Sequence, residues 1–288
     1  MPQATVRGPA EAFVTSPDPQ PEAGAAPIVL ETRAVTKHFG GVAALSHGDF
    51  QLREGEVHAI VGDNGAGKST LLKIIAGAHR PDNGELLING QPVTLANPRA
   101  AQELGVATVF QDLGLIDHLD AAANLFLGRE IHRRAPLSWL GVLDKKEMRK
   151  RAAREVVRLK VNIGSVSQML GGMSGGQRQA IAVARAAAFG TRIILMDEPT
   201  AALGVRETAA VCDLIRQLSD EGMSVAIVSH SMPDVFAVSE RITVLRHGRT
   251  VKTVRTAECS TEEIVGMMTG AFESSILPEN RRQATERA

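Results

Sequence analysis

Tyrosine is absent from this chain of 288 residues, and a single tryptophan stands beside eight phenylalanines. So few aromatics weaken any function built on stacking bases against rows of rings. Cysteine is nearly absent too. Cys212 and Cys259 are the two, spaced for neither a metal nor a redox pair, which fits reduced, buried thiols of a cytosolic protein. Net charge is missing, because 32 Lys and Arg balance 32 Asp and Glu. General nucleic-acid binders carry a basic surplus, so that class is disfavoured. Long apolar runs are missing as well. The longest, Ala180–Ala184, has five residues, against about 20 for a bilayer-spanning helix. The chain is not expected to cross a membrane by itself. With 44% apolar residues, it has length and apolar content for one large α/β domain or two small ones.

The ends differ from the middle. Six of the 13 prolines fall within residues 1–27, with few large apolar side chains. Such a segment cannot offset its ordering entropy by burial, so a disordered extension is expected, with no secretory signal. Residues 271–288 read as a flexible polar tail. Between them, short runs of mainly β-branched residues suit strands covered on both faces: Val57–Val61, Val106–Phe110, Ile193–Met196, Val225–Val228 and Ile242–Leu245. Helical patterns at Lys68–Ala76, Gln177–Phe189 and Arg206–Glu221 alternate with several of them, which predicts a largely parallel sheet. Segment 28–56 reads as short extended pieces with turns, an antiparallel flank. Residues 112–172 read as a helical subdomain. Its charged helix starts at Asp144-Lys-Lys-Glu147 and carries Met148, Ala152, Val156 and Leu159 at helical spacing.

The strongest chemistry lies at Gly62-Asp-Asn64-Gly65-Ala-Gly67-Lys68-Ser69-Thr70, which fits G-x-x-x-x-G-K-[ST]. It follows an apolar strand and opens a helix, the placement a phosphate loop requires. Glycines let backbone N–H groups turn inward around a phosphate, and the helix start adds a favourable dipole. Lys68 would reach the β- and γ-phosphates, and Ser69 would offer a hydroxyl to Mg²⁺. A second run, Ile193-Ile-Leu-Met-Asp197-Glu198, ends an apolar strand in two acids. Ligands of open α/β sheets sit beyond such strand ends. Asp197 is placed to hold Mg²⁺ and Glu198 to polarise an attacking water. A third, Ser174-Gly175-Gly176-Gln177, combines a capping-box spacing with uncovered N–H groups at a helix start. Alone it is a weak signal. Twenty residues or so before Asp197 it becomes part of an ordered set.

That set resembles the nucleotide-binding subunit of an ATP-binding-cassette (ABC) transporter, over about residues 28–270. The resemblance implies an α/β P-loop NTPase of ABC type, with a mainly parallel sheet, an antiparallel β flank and an inserted helical subdomain. It implies ATP and Mg²⁺ as ligands. It gives Gln111 the place of the Q-loop glutamine at Mg²⁺ and the lytic water, and His230 that of the switch histidine at the γ-phosphate. Phe39 matches the aromatic that stacks on adenine. Met173 replaces the usual Leu before Ser-Gly-Gly-Gln, a swap of similar volume. Gly204 stands where the family's D-loop carries Asp, which puts communication between two nucleotide sites through that carboxylate in question.

The resemblance also implies partners. Two such subunits meet head to tail, Ser174 and Gly176 of one closing on the γ-phosphate held by Lys68 of the other. A homodimer on separate permease subunits is therefore expected, peripheral to the cytoplasmic face of the inner membrane, with no nucleic acid involved. Segment 112–172 would receive the permease. Val109-Phe-Gln-Asp-Leu-Gly, Asn124-Leu-Phe-Leu-Gly-Arg-Glu130, the Thr200–Val205 run and the closing helix Ser260–Gly270 resemble simple-sugar importers that work with a sugar-binding protein. Most of those are tandem duplications; this sequence is similar to the single-cassette kind. Alternatives are a cassette for an amino acid or lipid, a soluble cassette acting on ribosomes or DNA, and a non-hydrolysing regulatory module. The intact Lys68, Asp197, Glu198 and His230 argue against the last.

Overall fold

A computed structural model describes residues 26–133 and 141–271. The bulk of the expected N-terminal extension and C-terminal tail lies outside them. Of those tails only residues 26, 27 and 271 are described: the Pro27 carbonyl accepts the Glu54 N–H at 2.8 Å, and the Ala271 N–H closes on the Gly266 carbonyl at 2.9 Å.

The elements run in the order β1 (Ile28–Phe39), β2 (Val42–Arg53), β3 (Val57–Val61), α1 (Lys68–Ile75), β4 (Asn83–Ile88), β5 (Gln91–Val93), α2 (Pro98–Glu103) and β6 (Val106–Val109). There follow α3 (Ala121–Leu125), α4 (Lys145–Arg158), α5 (Gly175–Ala187), β7 (Ile193–Asp197), α6 (Val205–Asp220) and β8 (Ser224–Val228). The described chain closes with α7 (Met232–Val238), β9 (Arg241–Arg246), β10 (Arg249–Arg255) and α8 (Thr261–Thr269). One sheet takes the order β5-β4-β1-β2-β10-β9-β3-β8-β7-β6. From β9 to β6 its neighbours are parallel, and among β5, β4, β1 and β2 they are antiparallel. A parallel bridge at Arg249↔His47 joins the two halves.

The parallel strands are largely apolar because helices cover both faces. In β3 the alternation sends Val57, Ala59 and Val61 to a core shared with α5, α6 and α7, while Ile60 meets Leu71, Leu72 and Ile75 of α1 on the other side. Each such side chain contributes about 1.5–3 kcal/mol on burial, so neither face tolerates a polar residue without a partner. His58, also fully buried, has one: its Nε2 lies 2.8 Å from the Thr243 hydroxyl.

Segment 28–56 departs from the expectation of short pieces. It forms two strands of 12 residues each in one hairpin. Register shifts around Thr32–Val35 break its alternation. There Ala34 takes φ +47°, and its N–H is held by Asp49 Oδ1 at 2.6 Å. A bulge flips the faces of the residues beyond it, which hides a long strand from a period-two reading. The flank also continues into β4 and β5. Cys212 is buried, which pushes its thiol up to about 11. Cys259 is only half-buried, against expectation; both are free thiols.

Between β6 and α5 the described residues hold helices rather than strands. α4 begins where the spacing placed it: Asp144 accepts the Glu147 N–H at 3.0 Å, and Met148, Ala152 and Val156 are buried. Leu159, just past its end, is buried too. Asn124, fully buried in α3, ties down the loop before it. Its Oδ1 accepts from Ile116 N–H at 2.8 Å, and its Nδ2 donates to the Ile116 and Asp120 carbonyls. In the sequence Asn124 stands out only as part of a resemblance; in the fold it closes this turn.

Candidate functional site

The loop after β3 needs glycine at two positions, each for its backbone angle and for a close carbonyl oxygen. Gly62 has φ +154°, and a Cβ there would collide with the Leu245 carbonyl oxygen. Gly67, the residue capping α1, has φ +101°, and a Cβ would stand 2.8 Å from the Ala44 carbonyl oxygen. Only glycine enters such backbone without strain. Gly62→Ala is therefore expected to cost about 3 kcal/mol or more of folding stability. Denaturant unfolding checks this, and wild-type stability would show that the loop has room for a side chain.

Between those glycines, Asn64 and Gly65 are exposed, as is Ser69 beyond them. Lys68 is buried, and its Nζ donates to the Gly62 carbonyl at 2.7 Å and the Asp63 carbonyl at 3.0 Å. Burial is the chief effect on this ammonium and pulls its pKa down, against the opposing pull of Glu198, Asp63 and Asp197. A cation curled over its own loop, with three carboxylates near, is poised for a more highly charged anion.

Parallel pairing then brings the second motif beside the first. In β7 Asp197 pairs with Val228 of β8, and Val228 in turn pairs with Ile60 of β3. The three strands thus end level. Ser69 Oγ lies 3.4 Å from Asp197 Oδ1, although 128 residues separate them. Burial first, and the charge of Glu198 second, push the Asp197 carboxyl upward. A hydroxyl and a carboxylate short of positive charge suit a hard divalent cation such as Mg²⁺.

Glu198 leaves the strand at φ +53°, and its N–H is anchored on the Val228 carbonyl at 2.9 Å. This unusual backbone turns its carboxylate toward the end of β8. There His230 Nδ1 meets Glu198 Oε2 at 2.7 Å. The imidazole is largely exposed and the carboxylate is not. Gln111 lies in an exposed bend two residues beyond β6, which stops one residue earlier than expected. Thr70 is half-buried in the first turn of α1.

Phe39, at the end of β1, is exposed. The His79 ring packs on it edge-on at 5.2 Å, and Lys37 Nζ lies 5.8 Å from its centroid. A core phenylalanine would be buried; this ring offers a face. His79 was not singled out from the sequence, and nothing local to it signals the contact.

Ser174 caps α5 as its spacing required. Its Oγ accepts the Gln177 N–H at 3.3 Å, and Gln177 Oε1 accepts the Ser174 N–H at 3.0 Å. Ser174 and Gly175 are exposed, while Gly176 and Gln177 are half-buried. Gln177 Nε2 donates to the Asn162 carbonyl at 2.9 Å. The hydrogen bonds of this group therefore run to its own surroundings rather than to the loop at 62–70. One of its neighbours, Glu207 of α6, was missed in the sequence. The spacing Gly204-x-x-Glu207 at a helix start could have found it: Glu207 Oε2 accepts the Gly204 N–H at 3.2 Å.

Comparison with known proteins fits this geometry. The profile of the family described as ABC transporter matches residues 45–201. A fructose import ATP-binding protein of Rhizobium meliloti is 42% identical, across 85% of this chain and 95% of its own length. A xylose/arabinose import ATP-binding protein of Sulfolobus acidocaldarius is also 42% identical, across 84% and 94%. A ribose import ATP-binding protein of Rubrobacter xylanophilus is 40% identical, across 90% of this chain but 50% of its own. Among solved structures, a nucleotide-free ATP-binding cassette from an ABC transporter superposes with TM-score 0.72 at 25% identity, covering 84% of this chain and 95% of that one. A dimeric cassette in a post-hydrolysis state bound to ADP and Pi gives TM-score 0.65 at 28% identity, over 79% and 98%. By its fold, the order of its motifs and these relatives, the chain belongs to the ABC transporter family, as one of its ATP-hydrolysing cassettes.

Proposed function

We propose that this cassette powers import of a simple sugar through a separate membrane permease, working as a homodimer peripheral to the cytoplasmic face of the inner membrane. The meeting of Ser69 with Asp197, and of Glu198 with His230, at the mouth of the phosphate loop carries the ATPase part. The likeness to fructose, ribose and xylose/arabinose import proteins supports the cargo. No helix of the described residues is long and apolar enough to span a membrane.

In this reading the backbone N–H groups of Gly65 and Gly67 cradle the phosphates of ATP. Lys68 leaves the Gly62 and Asp63 carbonyls for the β- and γ-phosphate oxygens. Phe39 stacks on adenine. Ser69, Asp197 and Gln111 would hold Mg²⁺, which when bound offsets phosphate charge. Glu198 draws a proton from the attacking water, and His230, already hydrogen-bonded to Glu198, fixes its carboxylate and reaches the γ-phosphate. Ser174 and Gly176 of the partner subunit close the site from the opposite side.

The test is co-purification with the permease and sugar-binding protein, reconstitution in liposomes, and ATPase assays with ribose, xylose, galactose or fructose added singly. One of these sugars is expected to stimulate hydrolysis several-fold. Stimulation by an amino acid and by none of the sugars would overturn the cargo assignment.

A further inference from the structure

The first turn of a helix presents N–H groups with no partner inside the helix, and it favours negative charge. At the start of α5 an anion is already in place, supplied by the chain itself. Glu207 folds back over Gly176 so closely that a Cβ on Gly176 would stand 2.8 Å from its Cβ and Cγ and 3.3 Å from its Cδ. The carboxylate accepts the Gly204 N–H at 3.2 Å. The Ser174 hydroxyl first, then the N–H groups of Gly204 and Gly176, hold the Glu207 carboxyl below the usual range. Glycine at 176 is what lets the stem lie there.

Building on the head-to-tail dimer proposed above, we propose that Glu207 is an internal occupant of the Ser174–Gly176 phosphate site. Its carboxylate holds those donors in the separated subunit and must give way when the partner's ATP arrives. It thereby sets the ATP concentration at which the dimer closes. Two anions cannot share one set of donors, and like charges repel at this range. Displacement is feasible because Glu207 keeps a second bond, to the Gly204 N–H, and stands at a half-exposed position. Gly204 gains a meaning as well. A Cβ there would stand 3.7 Å from Glu207 Oε2, so an acid at that position would face a second carboxylate. Glycine at 204 adds no second acid beside Glu207.

The experiment uses the full chain in a Glu198→Gln background, which is expected to dimerise on ATP without turning over. Glu207→Gln is added to it. Glutamine at this third helical position still completes a capping box, and an unchanged melting temperature verifies that α6 is intact. Light scattering during an ATP titration reads the half-point of dimerisation. Removing the charge is expected to lower that half-point by about fivefold, at two symmetric sites each sensing one fewer helix-end anion. The difference is expected to shrink at high salt, as a purely steric role would not. An unchanged or higher half-point in Glu207→Gln overturns the competitor role while leaving the dimer intact. A Glu198→Gln parent that stays monomeric at saturating ATP overturns the dimer reading and this proposal with it.

Discussion

Glu198→Gln is expected to lower ATP turnover by about 10²–10⁴-fold, the usual contribution of a general base, while nucleotide binding is kept. The substitution changes one oxygen to an amide and leaves the shape of the site. The φ of +53° at this residue is imposed by the anchor of its N–H on Val228, so the side chain remains aimed as before. What is lost is the ability to take a proton from water. ATP then persists between two subunits, and the dimer it joins should accumulate. Single-turnover assays with labelled ATP, read beside size-exclusion chromatography, check both halves. Normal turnover by Glu198→Gln would move the base to another residue.

Lys68→Ala is expected to weaken ATP binding about 30-fold or more, the cost typical of truncating one member of a hydrogen-bonded charge pair away from bulk water. Two effects combine. The β- and γ-phosphates lose their ammonium, and Glu198, Asp63 and Asp197 are left without the cation they surround. The Gly62 carbonyl also loses its partner inside a buried loop. That second loss lowers stability, so a thermal melt must accompany the titration. Lys68→Met, which keeps most of the buried stem, separates the two: it should restore packing and not affinity. ATP binding at wild-type strength in Lys68→Met would remove Lys68 from the phosphate site.

How much of this could be read in advance depended on the range of the forces involved. Val57–Val61 and Ile193–Met196 were legible as buried strands because helices cover both faces, leaving runs that are apolar save for His58. The caps at Ser174 and Asp144 were legible because a cap is settled within four residues. The long strands β1 and β2 were not, since the bulge at Ala34 resets their alternation. Nor was β10, whose exposed edge-like pattern carries no apolar run. Asn124 stood out only within a resemblance; the loop folded over it is what makes it a satisfied buried amide. The cap of Glu207 on Gly204 was open to a reading of spacing, but its place over Gly176 was not, because Gly176 belongs to another helix.

By itself the sequence determined the chemistry of each piece: a glycine loop between strand and helix, two acids at a strand end, a capped helix start with bare N–H groups. These follow from φ/ψ limits and hydrogen bonds that act over a few residues. The tertiary structure decided which pieces meet. Parallel register sets the ends of β3, β8 and β7 level, and so brings Ser69 within reach of Asp197 and His230 within reach of Glu198. It also laid Glu207 across Gly176. No local preference specifies such contacts, because they arise from burying both faces of one sheet at once.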